Sequence, residues 1–85
     1  MLPKILTVTA LPNHVLEVKF DDGVIKHFSV RSYLDYTVYK PLRNQKFFET
    51  AIVKYNTIVW GKDEAIDFDS ATVFMKGIAK NANFV

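Results

Sequence analysis

Two histidines, four clustered carboxylates and three serines are the side chains of this 85-residue chain whose types could do chemistry. His14 and His27 fall on the two strands of one expected hairpin, roughly opposite or diagonal to each other, and two imidazoles can begin a metal site. Catalytic zinc wants a third protein ligand, and only Glu17 stands at a matching strand position, so a solvent-facing pair is expected and no metal is assigned. Asp63, Glu64, Asp67 and Asp69 form the one carboxylate cluster. They lack the alternating ligands, mid-loop glycine and closing glutamate of a calcium loop. Nothing marks a cleft across which a glycosidase pair could work either. Capping of a helix start accounts for Asp67 and Asp69. Ser29, Ser32 and Ser70 sit in no Gly-x-Ser-x-Gly elbow, and Ser70 reads as a helix cap. No cysteine is present, which excludes thiolate nucleophiles and disulfides, and three glycines cannot make a phosphate-binding loop. No catalytic constellation and no cofactor site emerge.

Binding offers better candidates. Tyr33, Tyr36 and Tyr39 recur every third residue, which suits an amphipathic contact patch of the tyrosine-rich kind that interfaces favour, with scattered surface tyrosines as the plain alternative. Arg43 could hold a phosphate or a partner carboxylate, or simply anchor a loop through backbone carbonyls. Trp60 could stack on a nucleobase, but beside Ile58 and Val59 it suits a core or interface anchor better.

Charge narrows the partners. The net charge is +2, too small for the concentrated basic surface of a nucleic-acid binder, so no nucleic-acid partner is expected. Lys40, Arg43, Lys46, Lys54 and Lys62 do precede the acidic cluster, an arrangement read as two solvated surfaces. The longest charge-free run lies between Lys4 and Glu17, is broken by Pro12, Asn13 and His14, and falls well under the ~18 residues of a membrane span. It makes a poor signal peptide, so the expected setting is cytoplasmic, without a membrane.

Folded structure must position these residues. The composition is 49% hydrophobic, with seven Phe, four Tyr and one Trp, which points to one packed domain over residues 1–85. So small a core has a thin stability margin, and self-association as a homodimer would reinforce it. Residues 4–10 alternate as a strand with Leu6, Val8 and Ala10 on one side. Residues 14–30 read as a hairpin about Asp21-Asp22-Gly23, with Leu16, Val18, Phe20, Phe28 and Val30 inward. In 31–40, Ser32 could cap a short helical turn, and Thr37–Tyr39 look extended. Pro41–Asn44 turns the chain, and 45–51 suits a short helix presenting Phe47, Phe48 and Ala51. Residues 52–55 and 57–60 form a second hairpin about Asn56. Residues 67–70 lead into a helix whose Ala71, Phe74, Met75 and Ile78 share one face, with Gly77 or Asn81 as its stop. The fold class is α+β: an antiparallel sheet built from an N-terminal strand and two hairpins, packed by a short helix and a C-terminal helix.

Residues 12–23, Pro-Asn-His-Val-Leu-Glu-Val-Lys-Phe-Asp-Asp-Gly, resemble the opening hairpin of the small bacterial proteins of domain-of-unknown-function family 2442. Pro41-Leu42-Arg43-Asn44, Phe48, Val53, Asn56-Thr57-Ile58-Val59-Trp60 and Asp67 are similar to that family's second block, in the same order. Asn44 stands where Asp is common and Asn56 where Gly is common; Ser29-Val30 replaces a frequent Asp-Leu, and Gly61–Glu64 replaces a usual Pro-Asn-Gly. The resemblance implies a fold more than an activity. Some relatives look like partners of a neighbouring small protein in toxin–antitoxin-like gene pairs, and some carry a DNA-binding extension that is not expected for this chain. Others carry a molybdopterin-guanine dinucleotide biosynthesis label for which this sequence shows no nucleotide-binding residues.

The expectation is therefore a non-enzymatic protein-interaction module that binds a small protein partner or itself, with Tyr33, Tyr36, Tyr39, Arg43 and Trp60 as candidate contacts. The alternative is a nucleotide- or anion-binding accessory protein using Arg43 and nearby lysines.

Overall fold

A computed structural model describes residues 2–80. Alternating apolar residues make the first three strands, β1 (Ile5–Leu11), β2 (Val15–Phe20) and β3 (Ile25–Ser29). The β1–β2 connection turns tightly because Asn13 and His14 both take left-handed backbone, at φ of 66° and 59°. The β2–β3 turn uses Gly23 at φ 90°, with Asp22 accepting a hydrogen bond from Val24 N. Leu16, Val18, Phe20, Phe28 and Val30 all face the core, as the alternation requires. Leu6 does not join them. A bulge between Ile5 and Thr7 shifts the β1 register, so Ile5 turns inward and Leu6 stays 60% exposed.

From Val30 the chain enters two 3₁₀ segments, Arg31–Tyr33 and Thr37–Arg43. Val30, not Ser32, stands at the N-cap of the first, and no side chain caps it. The second replaces the extended run expected at Thr37–Tyr39. Proline's fixed φ suits a 3₁₀ turn, so Pro41 continues the segment, and the chain changes direction at extended Asn44. The Asn44 side chain accepts from Phe47 N and starts helix α1 (Gln45–Phe48).

Strands β4 (Ile52–Lys54) and β5 (Thr57–Trp60) form the second hairpin, with both Tyr55 and Asn56 left-handed in the turn. Residues 66–69 differ from expectation. They form a strand, β6 (Ile66–Asp69), paired with β5, with Ile66 and Phe68 buried and Asp67 and Asp69 exposed. Helix α2 (Ser70–Lys76) follows directly. Its cap is Asp69, which accepts from Thr72 N at 3.3 Å; Ser70 is the first helical residue instead. The covered side of α2 carries Val73 and Phe74, while Met75 is exposed. Gly77 ends the helix against Lys26, where an added Cβ would stand 2.7 Å from Val73 O. Asn81, the other expected stop, lies outside the described residues. Ile78 leaves the helix and begins strand β7 (Ile78–Ala79), which pairs with β3.

The class is α+β, with the antiparallel strands divided into a four-stranded sheet, β1-β2-β3-β7, and a three-stranded sheet, β4-β5-β6. Aromatic rings join their inner faces. Phe28 meets Phe68 edge-on at 5.1 Å, Phe20 meets Phe74 of α2 at 5.2 Å, and Trp60 lies between Phe48 and Phe68 at 6.0 and 5.9 Å. Each such pair adds about 0.5–1.5 kcal/mol to the burial of its area. Lys26, on the inner side of β3, places its ammonium 3.7 Å from the centre of the Phe74 ring and donates to Phe74 O. No described helix is long and apolar enough to cross a membrane.

The other face of the four-stranded sheet holds an ionic tie. Glu17 Oε1 accepts from His27 Nε2 at 3.0 Å and from Lys80 Nζ at 3.1 Å, linking β2, β3 and the residue after β7. Bonds from His27 and then Lys80 hold the Glu17 carboxyl below its ordinary pKa of 4.5. The fold thus favours the charged carboxylate, and this stabilisation is present above pH 4.5 and lost as pH falls through the lower folded value. Glu17→Gln is expected to be less stable than the native chain at neutral pH. The gap between their urea midpoints should close as the pH is taken below 4.5.

Candidate functional site

Of the three tyrosines of the 33–39 segment, Tyr33 and Tyr39 pack on Phe68 and Tyr36 leans on Tyr33, so they are held differently. Tyr39 lies flat on Phe68, centroids 4.6 Å apart and planes 7° from parallel, and its hydroxyl donates to Asp67 O at 3.3 Å. Burial, with the Asp67 charge second, pushes its phenol pKa up. Tyr33 is half-buried, packed on Phe68 at 5.0 Å, Phe28 at 5.8 Å and Tyr39 at 5.8 Å. Tyr36 leans on Tyr33 at 6.5 Å and is 61% exposed, with exposed Val38 two residues on. Two rings are thus fixed in the fold and one is presented on the support they make.

Arg43 braces this support. Its Nε donates to Leu34 O at 3.1 Å and its Nη2 to Asp35 Oδ1 at 3.0 Å, fastening the link between the two 3₁₀ segments just before Tyr36. Trp60 stands apart from the face. It has no solvent-exposed surface, and its indole N–H donates to Phe48 O at 2.9 Å. The structure places Trp60 in the core, beyond reach of a ligand or partner.

Beside Tyr33 lies a depression of about 480 Å³ that the sequence pattern did not announce. Its walls come from Val15 of β2, His27, Phe28 and Ser29 of β3, Ser32 and Tyr33 of the first 3₁₀ segment, Lys76 of α2 and Ile78 of β7. These positions run from Val15 to Ile78, and no local spacing could have joined them.

Of the residues first considered for catalysis, His27, Ser29 and Ser32 line this recess, and His14, Ser70 and the clustered carboxylates do not. His14 O accepts from Val30 N, so His14 stands across from Val30, while His27 pairs with Glu17; the two imidazoles are not cross-strand neighbours. The His14 ring packs on Phe48 at 5.2 Å, and its Nε2 donates to Arg43 O at 3.2 Å. Among the carboxylates, Glu64 pairs with Lys54, Asp63 accepts from Ala65 N, and Asp69 caps α2, also accepting from Thr72 Oγ1 at 2.6 Å. The Thr72 hydrogen bond holds Asp69 below the ordinary pKa. Among the described residues, no three His, Asp or Glu side chains are grouped closely enough to hold a metal ion.

Over residues 5–70 the chain matches the family described as "Protein of unknown function (DUF2442)", and it belongs to that family. No curated protein and no solved structure matches it.

Proposed function

We propose that this member of the DUF2442 family is a non-enzymatic protein-interaction module, engaging a small protein partner through the face centred on Tyr36. The observation that carries the reading is the presentation of Tyr36 on a fixed support: a large ring left 61% exposed between the packed Tyr33 and Tyr39 and beside a loop fastened by Arg43. Tyrosine gives a large amphipathic contact area, and a loop already held in one shape loses little entropy on binding. Val38 and Ile78 add exposed apolar surface to the same protein. Support for a role without catalysis is that, although His27, Ser29 and Ser32 line the recess, among the described residues no serine hydroxyl is hydrogen-bonded to a histidine or a carboxylate.

A photo-crosslinking amino acid placed at position 36, with position 55 as control, tests the reading. Tyr55 is 89% exposed in the β4–β5 turn, where its ring has the Lys54 ammonium 5.7 Å from its centre and no aromatic support among the described residues. Crosslinking in the native cell is expected to give a discrete protein adduct from position 36 and none from position 55, the adduct mass separating a partner from a second copy. Equal or absent adducts from both positions contradict the reading.

A further inference from the structure

We infer that the depression beside Tyr33 receives an apolar side chain flanked by a carboxylate, so that the segment bound by this face is acidic and apolar. This inference rests on the interaction reading and supplies the chemistry of its partner. Phe28 and Ile78 give the depression an apolar lining, and its volume of about 480 Å³ is in the range of a ligand-sized recess. The polar groups around that lining are the His27 imidazole, whose Nε2 is taken by Glu17, the hydroxyls of Ser29, Ser32 and Tyr33, which can donate or accept, and the ammonium of Lys76, which can only donate. Ser29 Oγ already accepts from Arg31 N at 3.3 Å, which leaves its hydrogen for an outside acceptor.

No carboxylate lines the recess. The nearest acid across the β2–β3 pair, Glu17, is engaged by both His27 and Lys80, so its charge is already answered. Among the described residues Lys76 pairs with no carboxylate. An ammonium without a carboxylate beside it, set at the edge of an apolar lining, is complementary to an anion carried on an apolar body.

Amide chemical-shift mapping with two short capped probes, Leu-Glu-Phe-Glu and Leu-Lys-Phe-Lys, tests this. The acidic probe is expected to move the amides of residues 27–33 and 76–78, and the basic probe is expected to leave them in place. Lys76→Glu, at an exposed helix-end position, should weaken the acidic probe by about tenfold and admit the basic one, because an attractive rim charge becomes repulsive. Equal responses to the two probes, no response at these amides, or an unchanged preference in Lys76→Glu would each overturn the inference. If position 36 crosslinks a protein while the acidic probe leaves the recess untouched, the partner chemistry fails and the interaction reading stands. If position 36 crosslinks nothing, the interaction reading itself fails.

Discussion

Trp60→Ala is expected to leave most of the chain unfolded at 25 °C. The indole has no exposed surface and lies between Phe48 and Phe68, joining α1 to the inner face of the three-stranded sheet. Truncating a buried tryptophan to alanine costs about 3–5 kcal/mol through lost burial and the cavity left behind. A chain of this length has roughly 4–13 kcal/mol of stability in total, with the low end apt for so small a core. The substitution also removes the donor that satisfies Phe48 O. Trp60→Phe keeps most of the ring volume and should cost less, about 1–3 kcal/mol, mainly for the carbonyl left without its partner. Urea titration followed by far-ultraviolet circular dichroism measures both, since removing the only tryptophan removes the tryptophan emission. A native-like midpoint for Trp60→Ala would contradict the packing described.

The second large effect is expected at Asn56, through hydrogen bonds and backbone conformation together. Its Oδ1 accepts from Ile5 N at 2.8 Å, and its Nδ2 donates to Ser70 Oγ at 2.9 Å. One side chain in the β4–β5 turn thereby ties the start of β1 to the start of α2. Its backbone is left-handed, at φ 60°, where asparagine is tolerated and a Cβ without a local hydrogen bond is not. Asn56→Ala loses both bonds and keeps the strained conformation, for an expected cost of about 2–4 kcal/mol. Asn56→Gly relieves the conformation but not the lost bonds and should cost about 1–2 kcal/mol. Asn56→Asp can accept from both Ile5 N and the Ser70 hydroxyl and should stay within about 1 kcal/mol of the native chain. Denaturant midpoints in the order Asp, Gly, Ala, from most to least stable, are the expected result. Glycine equal to aspartate would mean that the two bonds contribute little.

Where local pattern and tertiary structure agree, the sequence was readable. The β2–β3 hairpin shows clean alternation on both arms and a turn with Asp-Asp-Gly chemistry, so its register and inward residues follow. Strand β6 was hidden because Asp67 and Asp69 resemble the acidic first turn of a helix. Their alternation with Ile66 and Phe68 becomes visible once β5 is alongside. The same confusion moved the expected apolar face of α2, since Ile78 belongs to a strand that only β3 can pair. Thr37–Tyr39 look extended by residue type, whereas Tyr39 stacks on a phenylalanine twenty-nine positions later. Leu6 was misplaced because a bulge leaves no mark in the alternation it interrupts.

The candidate face was partly legible for the same reason. The period-three tyrosines announced themselves, and Arg43 was rightly allowed a loop-anchoring alternative. The recess was not visible, because Lys76 and Ile78 reach it from the far end of the chain. Nor could residue type alone separate Tyr36, which is presented, from Trp60, which is enclosed.

The most direct measurement pairs stability with binding in a single variant, Tyr36→Ala, using the protein crosslinked at position 36 as titrant. A residue that serves recognition and not packing should leave the melting temperature within about 2 °C of native. Its loss should at the same time weaken the complex by at least about tenfold, as expected for a tyrosine anchor. Retained affinity, or a loss of affinity accompanied by a comparable loss of stability, would show that Tyr36 belongs to the fold and that the binding surface lies elsewhere.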